Sequence, residues 1–120
     1  MPEGLVINRT EGITTAMIRY RSLLEGDQID RIGHELYTLV DEMDHQKVIV
    51  DFRQVNFLAS AMIGTLVALH KKAEAIDGKV ILVGLKPNLM KVFEITNLHK
   101  VLNFAETEEQ AAKQFDPLQT

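Results

Sequence analysis

Residues 48–69 read VIVDFRQVNFLASAMIGTLVAL. The run Val48 to Phe52 is β-branched at consecutive positions, the pattern of a strand covered on both faces of its sheet. Arg53-Gln54 interrupts it, and a second short apolar entry follows from Val55 to Leu58. After Ser60 the apolar residues Met62, Ile63, Leu66, Val67, Leu69 and Ala73 recur at helical spacing. A central strand thus hands over to a helix with a buried face, with one hydroxyl at the junction. That junction is where function is expected.

Working outward, the helix is expected to run from Ser60 to about Ile76 and to end at Asp77-Gly78, with Gly78 supplying a left-handed cap. Val80 to Val83 is a second buried strand. Pro87 suits the first position of a third helix, whose buried side is read as Leu89, Met90, Val92, Phe93 and Ile95. Asn97 is expected to cap it in left-handed geometry. Val101, Leu102 and Phe104 make a last strand, and Thr107 to Gln110 is a capping box opening a helix to Phe115. Asp116-Pro117 stops that helix, leaving Leu118 to Thr120 as a frayed tail.

Toward the amino terminus, Leu5-Val6-Ile7 and Ile13 to Tyr20 flank the turn chemistry of Arg9 to Gly12, which reads as a hairpin. A helix capped by Asp27 follows, with Ile29, Ile32, Leu36, Leu39, Val40 and Met43 on one face. Asp44-His45-Gln46 closes it. The order is strand, strand, helix, strand, helix, strand, helix, strand, helix. The fold class is therefore α/β: a mixed, largely parallel sheet with an amino-terminal hairpin and about four helices packed on it, in one domain over 1–120 with a core at about 4–115.

Composition narrows the function. The chain has 120 residues, 46% of them hydrophobic and 25% charged, and no cysteine. Disulfides and thiolate chemistry are excluded, and a cytoplasmic protein is expected. A net charge of −4 and an aromatic content of 6% argue against direct nucleic-acid binding. The apolar run Phe57 to Leu69 is too short to insert through a membrane.

Catalytic readings fare poorly. His34, His45, His70 and His99 lack ligand spacing and are read as surface or boundary imidazoles, so no metal and no cofactor is expected. Ser60 opens a helix after a strand, as in a nucleophile elbow, but its neighbours are Ala59 and Ala61 where such a turn needs glycine. Asp51 ends a strand as in a response-regulator receiver, yet the first strand ends in Asn8-Arg9 without the acidic pair that a receiver's divalent ion requires. Asp51 is read as a strand-end residue bonded to nearby backbone. The chain is not expected to be an enzyme.

The segment from about Lys47 to Gln114 resembles the STAS domain family, specifically its stand-alone anti-sigma factor antagonists. The matching positions are Asp51, Val55, Phe57, Ser60, Ile63, Gly64, Leu66, Gly78, Val83, Gly84, Pro87, Val92, Ile95, Thr96 and Leu98. The resemblance implies a switch: the antagonist binds an anti-sigma factor with serine kinase activity and so releases a sigma factor. Phosphorylation of the serine matching Ser60 then weakens the complex, and a serine phosphatase resets it. Phosphate at a helix start meets unpaired amides and brings roughly −1.5 to −2 charges into a contact surface. The partner surface is expected at Phe57, Leu58, Ala59, Ser60, Ala61 and Met62. Lys71 and Lys72 are read as solvated.

Three positions depart from the family pattern: Ala59 replaces its Asp, Ala61 its second hydroxyl and Met62 its first glycine. Met62 reads as core by helical spacing, or as a partner contact. Ser60 also has a plainer role as helix cap, compatible with the first. The alternative function is a permanent STAS subunit of a lipid transporter or stressosome-like scaffold with no phospho-switch. A small-ligand binder using the strand–helix cleft ranks last.

Overall fold

Val48, Val50, Val80 and Leu82 point to one face of a sheet and Ile49, Ile81 and Val83 to the other, and each set is buried in its own core. That is why these two strands are apolar throughout rather than alternating. The computed structural model describes residues 4–115. Its first half runs β1 (Leu5–Thr10), β2 (Ile13–Ile18), β3 (Ser22–Leu23), α1 (Gly26–Asp41), β4 (Lys47–Asp51) and β5 (Phe57–Leu58). The second half runs α2 (Ser60–Ala75), β6 (Lys79–Val83), α3 (Pro87–Ile95), a 3-10 turn at Leu98–Lys100, β7 (Asn103–Ala105) and α4 (Glu108–Phe115).

The main sheet has the order β1-β2-β4-β6-β7. The β1–β2 hairpin is antiparallel, and β2, β4, β6 and β7 are mutually parallel. Crossovers through α1, α2 and α3 place residues of all three helices in the larger core, as right-handed βαβ connections require. The smaller core lies under α4, where Ala111 and Phe115 pack on Ile49, Ile81 and Val83.

The hairpin, the strand–helix alternation, Pro87 in the opening turn of α3 and the left-handed Asn97 (φ 62°) all stand as expected. So does the cap of α4, where the Gln110 amide donates to Thr107 Oγ1 at 3.1 Å. Several positions differ. Asp27 lies inside the first turn of α1 instead of capping it, because the Ile29 amide reaches back to the Glu25 carbonyl at 3.1 Å and the helix starts earlier. Met43 falls beyond that helix and is exposed. The left-handed residue after α2 is Asp77 (φ 58°), not Gly78. Gly78 is needed for space: a Cβ there would lie 2.7 Å from the Gln46 carbonyl oxygen. Val101 is exposed and precedes β7, while Leu102 beside it is buried. Val92 and Ile95 are exposed as well, since a nine-residue helix packed through Leu89 and Phe93 buries one narrow stripe. Lys72, read as solvated, pairs with Asp41 at 2.8 Å and ties α2 to α1. His45 is buried, not a surface group. Asp116-Pro117 and the tail at 118–120 lie outside the described residues.

Candidate functional site

The segment between β4 and α2 is held by a set of short polar contacts. Asp51, fully buried at the end of β4, accepts from the Arg53 amide at 2.9 Å, bonding nearby backbone as expected. It also receives the Arg53 guanidinium, with Nε at 2.9 Å and Nη2 at 2.7 Å. This carboxylate is thus committed to its own loop. Its hydrogen bond and charge raise the Arg53 pKa. Glu108, 3.4 Å from the same guanidinium, has its carboxyl pushed up by burial and then by the Asp51 charge. Further along, Lys86 Nζ donates to the Arg53 carbonyl and Asn88 Nδ2 to the Asn56 carbonyl at 3.2 Å, so α3 braces the loop. Gly84 (φ +72°) leaves room for the loop, since a Cβ there would press on the Arg53 side chain.

The chain then enters β5, which pairs in parallel with β3: Ser22 faces Phe57 and Leu23 faces Leu58. These two-residue strands were not legible as strands in the sequence. Their ladder fixes the entry to α2. The Ala59 amide donates to the Leu23 carbonyl at 2.9 Å, keeping Ala59 extended (φ −79°, ψ 155°) as the cap residue. The helix therefore begins at Ser60, one residue earlier than a serine cap requires. Ser60 is not the cap: no side chain caps this helix end, and the Ser60 hydroxyl makes no hydrogen bond among the described residues.

Of the six residues expected to form a surface, Phe57, Ser60 and Ala61 are exposed. Leu58 and Ala59 are half-buried and pack against the core. Met62 is fully buried, so its side chain anchors the first turn from beneath. Phe57, three residues before the serine, stands 57% exposed. The first turn of α2 contains no acid. Its orphan amides and partial positive charge are consequently unopposed from within that turn.

Further exposed apolar groups adjoin the elements that hold this segment. Leu24 follows β3, the strand that pairs with β5. On α3, Val92 and Ile95 lie within one helical stripe of Asn88, the residue that reaches the loop before β5. The signal was present in the spacing, because Leu89 and Phe93 alone fill the inward stripe of so short a helix.

The catalytic alternatives find no geometry. His34 is exposed on α1, His70 pairs with Glu74 at 3.3 Å, His99 contacts the Phe93 carbonyl and His45 is held by the hairpin. Among the described residues no group of His, Asp or Glu is disposed to hold a metal ion. Two open clefts, of about 560 and 650 Å³, flank α4, and none of residues 57–62 lines either. Among the described residues no helix is long and apolar enough to cross a membrane.

Comparison with known proteins gives a consistent result. The STAS domain family model matches residues 5–111. A protein of Bordetella bronchiseptica described as a candidate anti-sigma factor antagonist, BtrV, is 23% identical over 111 residues, covering 92% of this chain and 93% of its own. Among solved structures, an anti-sigma factor antagonist from Mycobacterium paratuberculosis superposes with a TM-score of 0.80 at 16% identity, covering 92% of this chain and 91% of that one. The Bacillus cell fate determinant SpoIIAA, in its phosphorylated form, superposes at 0.71 with 21% identity, covering 93% and 99%.

Proposed function

Because the chain belongs to the STAS domain family, we propose that it is an anti-sigma factor antagonist whose docking surface surrounds Ser60 and whose binding is switched by phosphorylation there. The observation that carries this reading is the state of that side chain: exposed, without a hydrogen-bond partner among the described residues, at an uncapped helix end with no acid in its first turn. A phosphate on Ser60 meets free amides and the positive end of the helix, so it is accommodated without refolding. To a partner packed on Phe57, Leu58, Ala59, Ser60 and Ala61 it presents new charge that must be desolvated. A change of about 1.4 kcal/mol already lowers affinity tenfold.

The partner on this reading is an anti-sigma factor with serine kinase activity, reset by a serine phosphatase, and the protein acts in the cytoplasm as a binding switch and not as a catalyst. The similarity to a protein solved in a phosphorylated form supports it. Loss of the family's acid at Ala59 leaves the acceptor recognised by its loop and not by an adjacent carboxylate.

The test is affinity purification from the native host with wild-type, Ser60→Ala and Ser60→Asp baits, together with mapping of phosphate on the wild type. Retention of a kinase-like anti-sigma factor by the first two, its loss with Ser60→Asp, and phosphate on Ser60 are expected. The same partners on all three baits, without phosphate, point to the permanent scaffold subunit instead.

A further inference from the structure

We propose that Arg9, Thr14 and His45 form an acid-released clasp that fastens the edge hairpin to the body of the sheet. His45 lies in the turn between α1 and β4, where its amide donates to the Leu39 carbonyl at 2.9 Å and its side chain is buried. Both ring nitrogens are engaged across the fold. Arg9 Nη1, on β1, lies 2.9 Å from Nε2, and Thr14 Oγ1, on β2, lies 2.9 Å from Nδ1.

The chemistry fixes the protonation state. A guanidinium has donors only, so Nε2 must accept with its lone pair, and Nδ1–H must donate to the threonine hydroxyl. The ring is neutral with its proton on Nδ1. Adding a second proton would set an Nε2–H donor against the Arg9 donor and bring two positive charges face to face at a part-buried contact. Burial and then Arg9 lower the His45 pKa accordingly.

Among the described residues no acid bonds the ring. Arg9 is the charged group that bears on the ring from β1, and β2 contributes only the uncharged Thr14. On the turn itself Glu42 and Asp44 are exposed and neither bonds the ring; at the start of β4, Lys47 is exposed. Glu11 lines the cleft beside α4, on the opposite face of the hairpin from Arg9. The last carboxylate of α1, Asp41, is taken by Lys72.

What acid releases is specific. β1 is an edge strand whose neighbour in the sheet is β2, and the clasp joins both strands of the hairpin to the α1–β4 turn. Protonation of His45 therefore loosens the hairpin before it touches the Ser60 surface at the other end of β4.

The test is an NMR titration of the four histidines in the full chain, with amide exchange followed from pH 7.5 to 5.5. The His45 midpoint is expected below the ordinary histidine value of 6.5, and Arg9→Met is expected to raise it toward that value. Below pH 6.5 the opening constant of the β1–β2 ladder is expected to rise by up to about tenfold per pH unit while α3 stays flat, and His45→Gln is expected to abolish the trend. A His45 midpoint at or above 6.5 overturns the proposal. So does a hairpin whose protection falls equally in His45→Gln. Should that variant fail to fold, the Arg9→Met titration decides alone.

Discussion

Ala59 holds the backbone geometry of a helix cap, with φ −79° and ψ 155°, but carries no group able to cap. Its replacement by Asp should supply the missing acceptor and a charge at the positive end of α2. Ala59→Asp is expected to raise stability by about 1 kcal/mol, measured by urea denaturation. An unchanged or lower midpoint would show that the half-buried site tolerates no carboxylate. Ser60→Asp tests the same end from the first helical position and should gain roughly 0.3–1 kcal/mol. That gain matters for the binding experiment, since a bait that is more stable yet loses its partner has not simply unfolded. The neighbourhood of Asp77 and Gly78 gives a second pair. Gly78→Ala forces a methyl onto the Gln46 backbone and should cost about 2 kcal/mol or more. Asp77→Gly should instead be neutral or stabilising, because it relieves a left-handed non-glycine residue. Sequence reading assigned the left-handed role to the glycine because glycine is the default there. Its real task, close approach to the backbone of Gln46 thirty-two residues earlier, leaves no local trace.

Among the elements, α3 shows how far periodicity carries. Phe93 is fully buried and meets Phe104 edge-on, with ring centroids 5.3 Å apart. Phe93→Ala should cost about 3–5 kcal/mol in a thermal or denaturant unfolding measurement. Ile95, 74% exposed on the same helix, should change stability by less than about 0.5 kcal/mol when replaced by Ser. Both residues looked alike in the sequence as members of one apolar series. The long elements α1, β4, α2 and β6 were readable because their patterns extend over several turns or a full strand. β3 and β5 were not, since two residues carry no period and their pairing joins positions thirty-five apart. Yet that pairing fixes where α2 starts, and hence whether Ser60 caps the helix or stands free. The residues of the candidate surface were legible, whereas their division into exposed Phe57, Ser60 and Ala61 and buried Met62 depends on this clip.

For the molecule as a whole, two groups tilt stability with pH in opposite senses. His45 has a lowered pKa when folded, so its contribution is complete above its ordinary value of 6.5 and is lost as pH falls through the folded value. Glu108 has a raised pKa when folded; its contribution is complete below 4.5 and is lost as pH rises through the folded value. Thermal unfolding of wild type against His45→Gln should therefore show wild type losing stability faster on acidification below pH 6.5. Parallel curves would remove His45 from the account.

The uneven covering of the sheet bears on how the chain is made. Three helices close one face, and each is synthesised between the strands it joins, so the larger core assembles as the polypeptide lengthens. The other face waits for α4, the last of the described elements to be translated. At about 5–20 residues per second, a nascent chain that has reached β7 keeps Ile49, Ile81 and Val83 open to water until Ala111 and Phe115 emerge from the ribosome. During that interval the half-built protein offers a bare apolar strip to chaperones or to its neighbours on the same message.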